Sequence, residues 1–379
     1  MITPSTCLAP PFRLCLGHPH TGLWFPVPPT RSACHPAGER ATSSARTAAS
    51  APRSPNRWRA CAAPGATACS RSGGGTSRSR SALIHASVIL NPAAGGGAGA
   101  RALDPVAREF RRQGWAVDIT RTEGPGHGVE LAAQAARDGA TRVVAVGGDG
   151  TVHDVANGIF RQDADVALGV VPIGTGNDFA KLLGVYRHSP VRAVQRLVSA
   201  EVRRFDVGEV LAECFVNTMG FGFGPAVVRV RNSMPGVTGF FSYLLPVLRA
   251  FATFRPPRFE VRASGFAETG YMMMVEICNG TTAGGSYRFA PDADPCDGQL
   301  DVCLVRSVSL PRFLMALPRV LRGTHTRMRE VAVFRTRELT IRCPEQPLLL
   351  HLDGELREPE VNHCTVRLAP RRLKVLVAR

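Results

Sequence analysis

Hydrophobic runs alternate with segments of helical periodicity between residues 83 and 205. Short apolar runs predict strands over 86–91, 115–120, 141–147 and 166–172. Apolar residues on one helical face predict helices over 101–113, 128–138, 151–161, 177–183 and 189–199. Strands that alternate with helices imply βαβ units and a parallel sheet, in which ligands bind at the carboxyl ends of the strands. We therefore predict an α/β domain over 83–205 with a ligand site at that edge.

The pattern changes after residue 205, where short β-rich runs follow one another closely. Helical stretches interrupt these runs only near 233–253 and 309–322. Strands at this density predict an antiparallel sandwich or barrel. The predicted architecture is thus α/β plus all-β. A Rossmann-like parallel-sheet domain precedes a β-sandwich-like domain over 206–379, and the last strands are free to return to the first domain.

Residues 1–82 differ from this body in composition. They are rich in Pro, Ser, Ala, Gly and Arg, and they hold ten arginines, no lysine and one acid, Glu39. Such a segment cannot bury enough apolar surface to fold, so we predict a disordered tail. A targeting peptide, a basic tail for membrane or nucleic acid, and a start codon assigned too far upstream all fit this composition. We favour the last of these.

The cysteines and the hydropathy pattern indicate the compartment. The chain has 379 residues, a net charge of +16 and eleven cysteines, without a C-x-x-C pair in the body. Unpatterned cysteines indicate reduced thiols, as in the cytoplasm. The chain has no run of 18 apolar residues, so the sequence predicts no spanning helix. A nucleic-acid partner would rest on the tail alone and is not predicted.

Three glycine clusters each follow a predicted strand, namely Gly95–Gly97, Gly147–Gly150 and Gly174–Gly176. A backbone without Cβ approaches oxyanions closely and aims N–H groups at them, and a following helix adds the positive end of its dipole. Tight turns alone are the alternative. Three such loops on one sheet edge predict a phosphate-binding surface, and hence a nucleotide domain. A P-loop lysine motif is absent, so backbone N–H groups, arginine and metal must meet the phosphate charge.

Several motifs resemble a known family. The loop "GGDGT" (147–151) resembles that of the superfamily of phosphofructokinases, NAD kinases and diacylglycerol/sphingosine-type lipid kinases. The G-S-T-A-Y run of NAD kinases is missing, and "PIGTGNDFAKLLG" (172–184) stands instead. Together with "NPAAGGGAG" (91–99) and "LHLDGEL" (350–356), this pattern makes residues 85–379 similar to the bacterial diacylglycerol-kinase-type lipid kinases.

The resemblance implies an ATP site on the glycine loops. The implied contacts are Asn91, Pro92, Ala93, Ala94, Gly95, Thr122, Gly148, Asp149, Gly150, Thr151, Val152, His153, Asp154 and Thr175. A carboxylate among phosphates requires a cation between them, so Asp149 is a catalytic candidate that organises Mg²⁺ and ATP. A turn aspartate bonded to its own backbone is the alternative for Asp149. Asp178 is either part of the site or a helix-start residue.

The resemblance also implies that Glu355 in "LDGEL" accepts the proton of the attacking hydroxyl, with Asp353 as the second candidate. The apolar run before these residues predicts a strand, and Gly354 marks a tight turn. An exposed hairpin turn is the alternative, since Asp-Gly is by itself a hairpin signal.

A second, structural Mg²⁺ site is implied in "DADPCDGQLD" (292–301), at Asp294, Asp297 and Gln299. Clustered oxygen ligands suit a hard cation. Cys296 stands where the family often has an acid, and cysteine is a poor Mg²⁺ ligand. A solvated acidic turn is the alternative.

The acceptor is expected to be an alcohol on an apolar molecule. Apolar residues of 233–253 either line an acyl-chain cleft, dip into a bilayer surface, or belong to the core. They are Phe240, Phe241, Tyr243, Leu244, Leu245 and Leu248. We predict an ATP- and Mg²⁺-dependent lipid kinase, peripheral at the inner face of the membrane, that converts diacylglycerol to phosphatidate. A sphingoid base as acceptor, an NAD kinase-type small-molecule kinase, a non-catalytic nucleotide- or lipid-binding module, and a homodimer are left open.

Overall fold

The computed structural model describes residues 84–185, 188–234 and 241–378, and the first three residues of the last range by their backbone only. These residues fall within one compact unit. The predicted tail, 1–82, lies outside them. Within the described ranges, no helix is long and apolar enough to cross a membrane.

The N-terminal part is the predicted α/β domain. Its parallel strands lie in the order β2-β1-β3-β4. The elements are β1 (Ile84–Leu90), α1 (Ala94–Arg112), β2 (Trp115–Arg121), α2 (His127–Arg137), β3 (Arg142–Gly147), α3 (Asp149–Arg161), β4 (Ala167–Pro172), α4 (Asp178–Leu182) and α5 (Pro190–Val198). The sequence therefore identified every strand and helix of this domain to within a few residues, apart from the start of α1.

Helices cover both faces of this sheet, which explains why its strands are continuously apolar. On β3, Val143 and Ala145 pack with residues of α2 and α3, whereas Val144 and Val146 pack with residues of α1 and α5. Strands buried on both faces lose the alternation of apolar and polar residues. The carboxyl ends of β1, β3 and β4, where the glycine clusters lie, meet at one edge.

The C-terminal part is rich in antiparallel strands. Its elements are β5 (Glu201–Val210), β6 (Glu213–Phe215), β7 (Thr218–Gly222), α6 (Phe223–Asn232), α7 (Phe241–Thr253), β8 (Arg258–Ala263), β9 (Phe266–Cys278), β10 (Leu300–Arg306), α8 (Leu310–Arg322), β11 (Val331–Thr336), β12 (Glu338–Arg342), β13 (Leu350–Leu352), β14 (Glu355–Arg357) and β15 (His363–Val377). This arrangement confirms the predicted fold class, α/β followed by a β-rich domain.

A large apolar core lies within the β-rich domain, with Phe221 and Val275 contributed by β7 and β9, and Ile341 and Val366 by β12 and β15. The long strand β9 pairs with β8 through its first half and with β7 and β10 through its second half. Strand β15 pairs with β5 and then lies parallel beside β4, with Lys374 opposite Ala167. The last strand thus extends the sheet of the α/β domain.

The sequence analysis missed helix α6. The run "CFVNTMGFGFG" reads as continuous strand, but β7 ends at Gly222 and α6 begins at Phe223. Gly222 has φ +83°, and a Cβ there would lie 2.6 Å from the carbonyl oxygen of Met273. This positive φ, which favours glycine, turns the chain out of the sheet. The helical insertion therefore begins about ten residues earlier than 233–253.

Candidate active site

A cavity of about 670 Å³ lies at the carboxyl ends of the parallel strands and extends beneath α6, α7 and α8. One end is polar and is formed by the glycine loops. The predicted ATP contacts that line it are Asn91, Pro92, Ala93, Ala94, Gly95, Thr122, Gly148, Asp149, Gly150, Thr151, Asp154 and Thr175. The structure thus brings together twelve of the fourteen residues predicted from the loops.

The loops are held against one another through positions that require glycine. A Cβ at Gly174 would lie 2.5 Å from the Cα of Gly148, so the second and third loops touch by their backbones. A Cβ at Gly95, where φ is +59°, would lie 2.3 Å from the carbonyl oxygen of Ile173. The side-chain amide of Asn91 donates to Thr151 Oγ1 at 3.2 Å and joins the first loop to α3. The result is a surface of backbone groups suited to phosphate.

Carboxylates stand among these backbone groups. Asp149 is half-buried, and its Oδ1 accepts a hydrogen bond from the backbone N–H of Phe179 at 3.3 Å. Loss of water around Asp149, and then the charge of Asp178, raise the pKa of Asp149 to about 7. Lys181 donates to Asp178 Oδ1 at 2.6 Å. Asp178 Oδ2 also accepts the N–H of Gly285 at 2.7 Å, so both of its oxygens are bonded within the protein. Asp149 is therefore the carboxylate at this edge that could hold a Mg²⁺ ion arriving with a nucleotide, because Mg²⁺ is usually bound through one or two carboxylates plus phosphates.

Glu355 reaches the second glycine loop from the β-rich domain. It begins β14 directly after the Asp353–Gly354 turn, in which both residues have positive φ. A Cβ on Gly150 would lie 2.4 Å from Glu355 Oε1, so the carboxylate lies against the first turn of α3. The structure therefore places the predicted proton acceptor beside the predicted phosphate site.

Asp353 is not available as a second proton acceptor, which corrects the prediction. Its Oδ1 accepts the N–H groups of Asn217 and Thr218 at 2.8 and 3.1 Å. Its Oδ2 accepts the N–H of Val216 at 3.1 Å and lies 2.9 Å from His153 Nδ1. A carboxylate with these partners fixes the hairpin that carries Glu355.

Val152 and His153 do not line the cavity. The structure therefore corrects the prediction that their side chains contact ATP. Val152 packs in the core between α3 and the sheet because it lies on the buried face of the helix. His153 is also buried, with Asp353 on one side and Glu213 Oε2 at 3.5 Å on the other. Burial opposes its charge, but the bonds to Asp353 and then Glu213 raise the pKa of His153 to about 9.

Glu213 completes this network at the domain boundary. The bond to His153, with further help from Arg357, lowers the pKa of Glu213 to about 2. Arg357 Nη2 donates to Glu213 Oε2 at 2.8 Å. The network of His153, Asp353, Glu213 and Arg357 therefore ties α3, β6 and the β13–β14 hairpin together.

The predicted structural metal site lies apart from the cavity lining. Asp294 Oδ1 accepts the N–H of Cys296, and Asp297 Oδ1 accepts the N–H of Gln299, each at 3.0 Å. Asp297 also lies 3.7 Å from Arg335. Among the residues that the structure describes, no three His, Cys, Asp or Glu side chains are grouped to hold a metal ion. The Mg²⁺ site at Asp294, Asp297 and Gln299 stays a prediction.

The other end of the cavity is apolar, and sequence reasoning found only part of it. The lining there includes Phe223, Val227, Val247, Met273, Met274, Phe313 and Leu317. Helix α6 was missed, so Phe223 and Val227 were missed with it. In the predicted apolar insertion, Leu245 and Leu248 are exposed and Leu244 is half-buried. Phe240 and the side chains of Phe241 and Tyr243 lie outside the described residues.

Comparison with known proteins identifies the family. Residues 85–210 match the profile described as "Diacylglycerol kinase catalytic domain", and residues 217–377 match "YegS C-terminal NAD kinase beta sandwich-like domain". The chain belongs to the diacylglycerol kinase family of lipid kinases. It is accordingly a kinase, and the recognition made from "GGDGT" and the motifs after it is confirmed.

Individual relatives agree with this family. The chain is 28% identical to the "Diacylglycerol kinase" of Bacillus subtilis over 72% of this chain and 90% of that protein. It is 34% identical to the "Probable lipid kinase YegS-like" protein of Pseudomonas fluorescens over 52% of this chain and 65% of that protein. A crystal structure of a diacylglycerol kinase from Bacillus anthracis shares the fold, with a TM-score of 0.61, 19% identity, and coverage of 79% of this chain and 98% of that one.

Proposed function

We propose that this lipid kinase transfers the γ-phosphoryl group of ATP, with Mg²⁺, to the hydroxyl of a lipid. Diacylglycerol, which would give phosphatidate, is the reference acceptor because relatives carry that name. The observation that carries the proposal is the two-sided cavity. A glycine-lined end suited to phosphate opens into an apolar chamber, and Glu355 stands beside the glycine loop.

Phosphoryl transfer needs positioning and charge neutralisation more than covalent chemistry. The backbone N–H groups of the three glycine loops would hold the nucleotide phosphates. Asp149, beside Asp178, would hold Mg²⁺, which supplies positive charge to the phosphates when it is bound. Glu355 would accept the proton of the lipid hydroxyl as its oxygen attacks the γ-phosphorus, and ADP would leave.

The apolar chamber would hold the first part of an acyl chain. Phe223 contacts Phe313 with ring centroids 5.5 Å apart, and Phe313 stacks on Phe251 of α7 at 4.3 Å. These rings join α6, α7 and α8 around the chamber. Apolar walls stabilise an aliphatic chain by removing its surface from water, and a dinucleotide acceptor such as NAD has no aliphatic chain to bury there.

Helices α7 and α8 also present apolar side chains to the outside. The exposed residues are Leu245, Leu248, Leu310, Leu314 and Met315. The exposed arginines Arg249 and Arg319 lie on the same two helices. Apolar side chains flanked by arginine suit a surface with anionic lipids. We therefore propose peripheral contact with the inner face of the membrane through α7 and α8.

The test is phosphoryl transfer by the full chain. ATP labelled in the γ-phosphate is supplied with Mg²⁺, and diacylglycerol, a sphingoid base and NAD are offered separately, the lipids in detergent micelles. We expect label in a lipid and none in NAD. Label in NAD and in neither lipid would show a small-molecule kinase instead, and label in the sphingoid base alone would replace the reference acceptor.

A further inference from the structure

A carboxylate and an imidazole lie side by side in the wall of the apolar chamber. Gly220 of β7 pairs with Glu276 of β9 on one side and with His351 of β13 on the other. Directly paired residues point to the same face of a sheet, so Glu276 and His351 meet over Gly220. A Cβ at Gly220 would lie 2.1 Å from Glu276 Oε2 and 2.7 Å from His351 Nε2, so glycine makes room for the pair.

Glu276 lacks the hydrogen bonds that a buried carboxylate needs. It is 1% exposed, and neither of its oxygens accepts a hydrogen bond from any residue in the part of the chain that the structure describes. His351 Nε2 forms an ion pair with Glu276 Oε1 at 3.3 Å, and His351 Nδ1 has no described hydrogen-bond partner. Buried polar groups are nearly always bonded, so an exception calls for a ligand or a functional reason.

The location of the pair supplies that reason. Both residues line the cavity, and Gly224 at the start of α6 keeps the space before them open, since a Cβ there would lie 3.2 Å from His351 Nε2. Their neighbours in the lining include the apolar side chains of Phe223 and Met274. The proton-accepting role assigned to Glu355 leaves Glu276 and His351 without a part in the transfer.

We propose that Glu276 and His351 bind a second hydrogen-bond donor of the acceptor lipid, a hydroxyl or an ammonium group beside the hydroxyl that is phosphorylated. This inference rests on the proposed function, because it assumes a lipid hydroxyl as acceptor, and it narrows the acceptor class. A vicinal diol such as a 1-acylglycerol, or an amino alcohol such as a sphingoid base, supplies the donor. Diacylglycerol has one hydroxyl and offers Glu276 only an ester, so it is the poorer acceptor.

The energetic argument is the asymmetry of buried hydrogen bonds. A site built around a buried polar group rejects an analogue that lacks the matching donor, because the group is then left unpaired and without water. The buried carboxylate also disfavours anionic head groups. The pair therefore selects neutral or cationic acceptors that carry two donors.

The test compares matched acceptors that differ in one hydroxyl. The full chain is assayed with 1-acylglycerol and with its 2-deoxy analogue, and a sphingoid base and diacylglycerol form two further arms. We expect kcat/KM to favour 1-acylglycerol over the deoxy analogue by about 10-fold or more. In Glu276→Gln this ratio falls toward one, because an amide binds a hydroxyl less strongly than a carboxylate does.

A matched control is Glu330→Gln. Glu330 lines the same cavity, but its Oε1 accepts a hydrogen bond from Arg329 at 3.0 Å and lies 3.4 Å from Arg312, so two arginines already meet its charge and its removal is expected to leave the acceptor ratio unchanged. The Tm of Glu276→Gln is expected to fall whatever the role of Glu276, because one partner of the buried ion pair with His351 is removed. Recognition is therefore measured by the acceptor ratio, and a purely structural Glu276 predicts lower turnover of both acceptors at an unchanged ratio.

Failure of this inference is distinguishable from failure of the proposed function. Equal turnover of 1-acylglycerol and its deoxy analogue by the wild type overturns the inference, but the proposed function as a lipid kinase still holds. If no lipid is phosphorylated, the proposed function fails, and the inference is then tested by measuring lipid binding. Stabilisation of the full chain by 1-acylglycerol beyond its deoxy analogue, without nucleotide and lost in Glu276→Gln, supports the inference, and equal stabilisation overturns it.

Discussion

Two acidic residues separated by one glycine have opposite roles in the β13–β14 turn. Asp353 is buried among three backbone N–H groups and His153, whereas Glu355 is exposed to the cavity beside Gly150. The first holds the turn in place, and the second is the group to which we assign the proton-accepting role. Because both lie in one short motif, the sequence ranked them as alternatives, and only their surroundings separate them.

The buried network around His153 predicts a pH dependence of stability. The pKa of His153 is raised from 6.5 to about 9, so its stabilising contribution is complete below pH 6.5 and is lost as pH rises through about 9. The pKa of Glu213 is lowered from 4.5 to about 2, so its contribution is present above pH 4.5 and is lost as pH falls toward 2. The network therefore stabilises the fold most between pH 4.5 and pH 6.5, where both contributions are complete.

The measurement is urea unfolding of the wild type and of His153→Gln at several pH values. We expect the variant to be less stable by about 3 kcal/mol at pH 6, since one partner of a buried pair is removed. The difference shrinks as pH approaches 9, where the wild-type imidazole also loses its proton. A difference that stays constant from pH 6 to 9 would show that His153 is buried neutral.

At the scale of elements, the glycine loops position the site because they permit contacts that a side chain would block. Gly150 lies in the first turn of α3 with Glu355 against it. For Gly150→Ala we expect turnover to fall by about 100-fold, because the new Cβ displaces the Glu355 carboxylate. Stability is expected to hold or rise, since alanine favours the helix by about 1 kcal/mol.

The control for this change is Gly270→Ala, where a Cβ would meet no atom within 4 Å. Turnover and Tm are measured for both variants. Full turnover in Gly150→Ala would mean that Glu355 does not act from this position. Loss of turnover in Gly270→Ala would mean that the assay reports general damage to the fold.

The elements also show how far the sequence could predict the fold. Strands β1 to β4 and the loops after them depend on local patterns of apolar residues and glycine, so they were predicted closely. Helix α6 was missed because the close approach of Gly222 to Met273, about fifty residues away, has no signal in the local sequence. The partners of His153 were missed for the same reason, since Asp353 lies 200 residues further along the chain. Pairing across the domains leaves no local signal.

At the scale of the whole molecule, the cavity is lined by the glycine loops, where we propose that phosphate binds, and by helices that also carry exposed apolar side chains. Leu314 and Met315 of α8 are 46% and 49% exposed. Replacing both by serine is expected to weaken binding to phosphatidylcholine vesicles that contain phosphatidylglycerol by about 10-fold, because apolar contact with the acyl boundary is lost. Co-sedimentation with the vesicles measures this.

Val202→Ser is the control, since Val202 is 48% exposed on β5, which pairs with β15 and β6 and belongs to neither α7 nor α8. Its binding to the vesicles should equal that of the wild type. Equal binding by the Leu314/Met315 double variant would remove α8 from the docking surface. If the wild type binds vesicles equally well with and without phosphatidylglycerol, the arginines do not contribute to the docking surface.

The central claim is that Glu355, carried by the β-rich domain, acts on a lipid hydroxyl at the phosphate site of the α/β domain. The most direct test is single-turnover transfer of labelled γ-phosphate from ATP to lipid by Glu355→Gln, with Glu358→Gln as the exposed control that pairs with Arg229. We predict that Glu355→Gln transfers phosphate at least about 100-fold more slowly while it still binds ATP, and that Glu358→Gln matches the wild type. Undiminished transfer by Glu355→Gln would contradict the account.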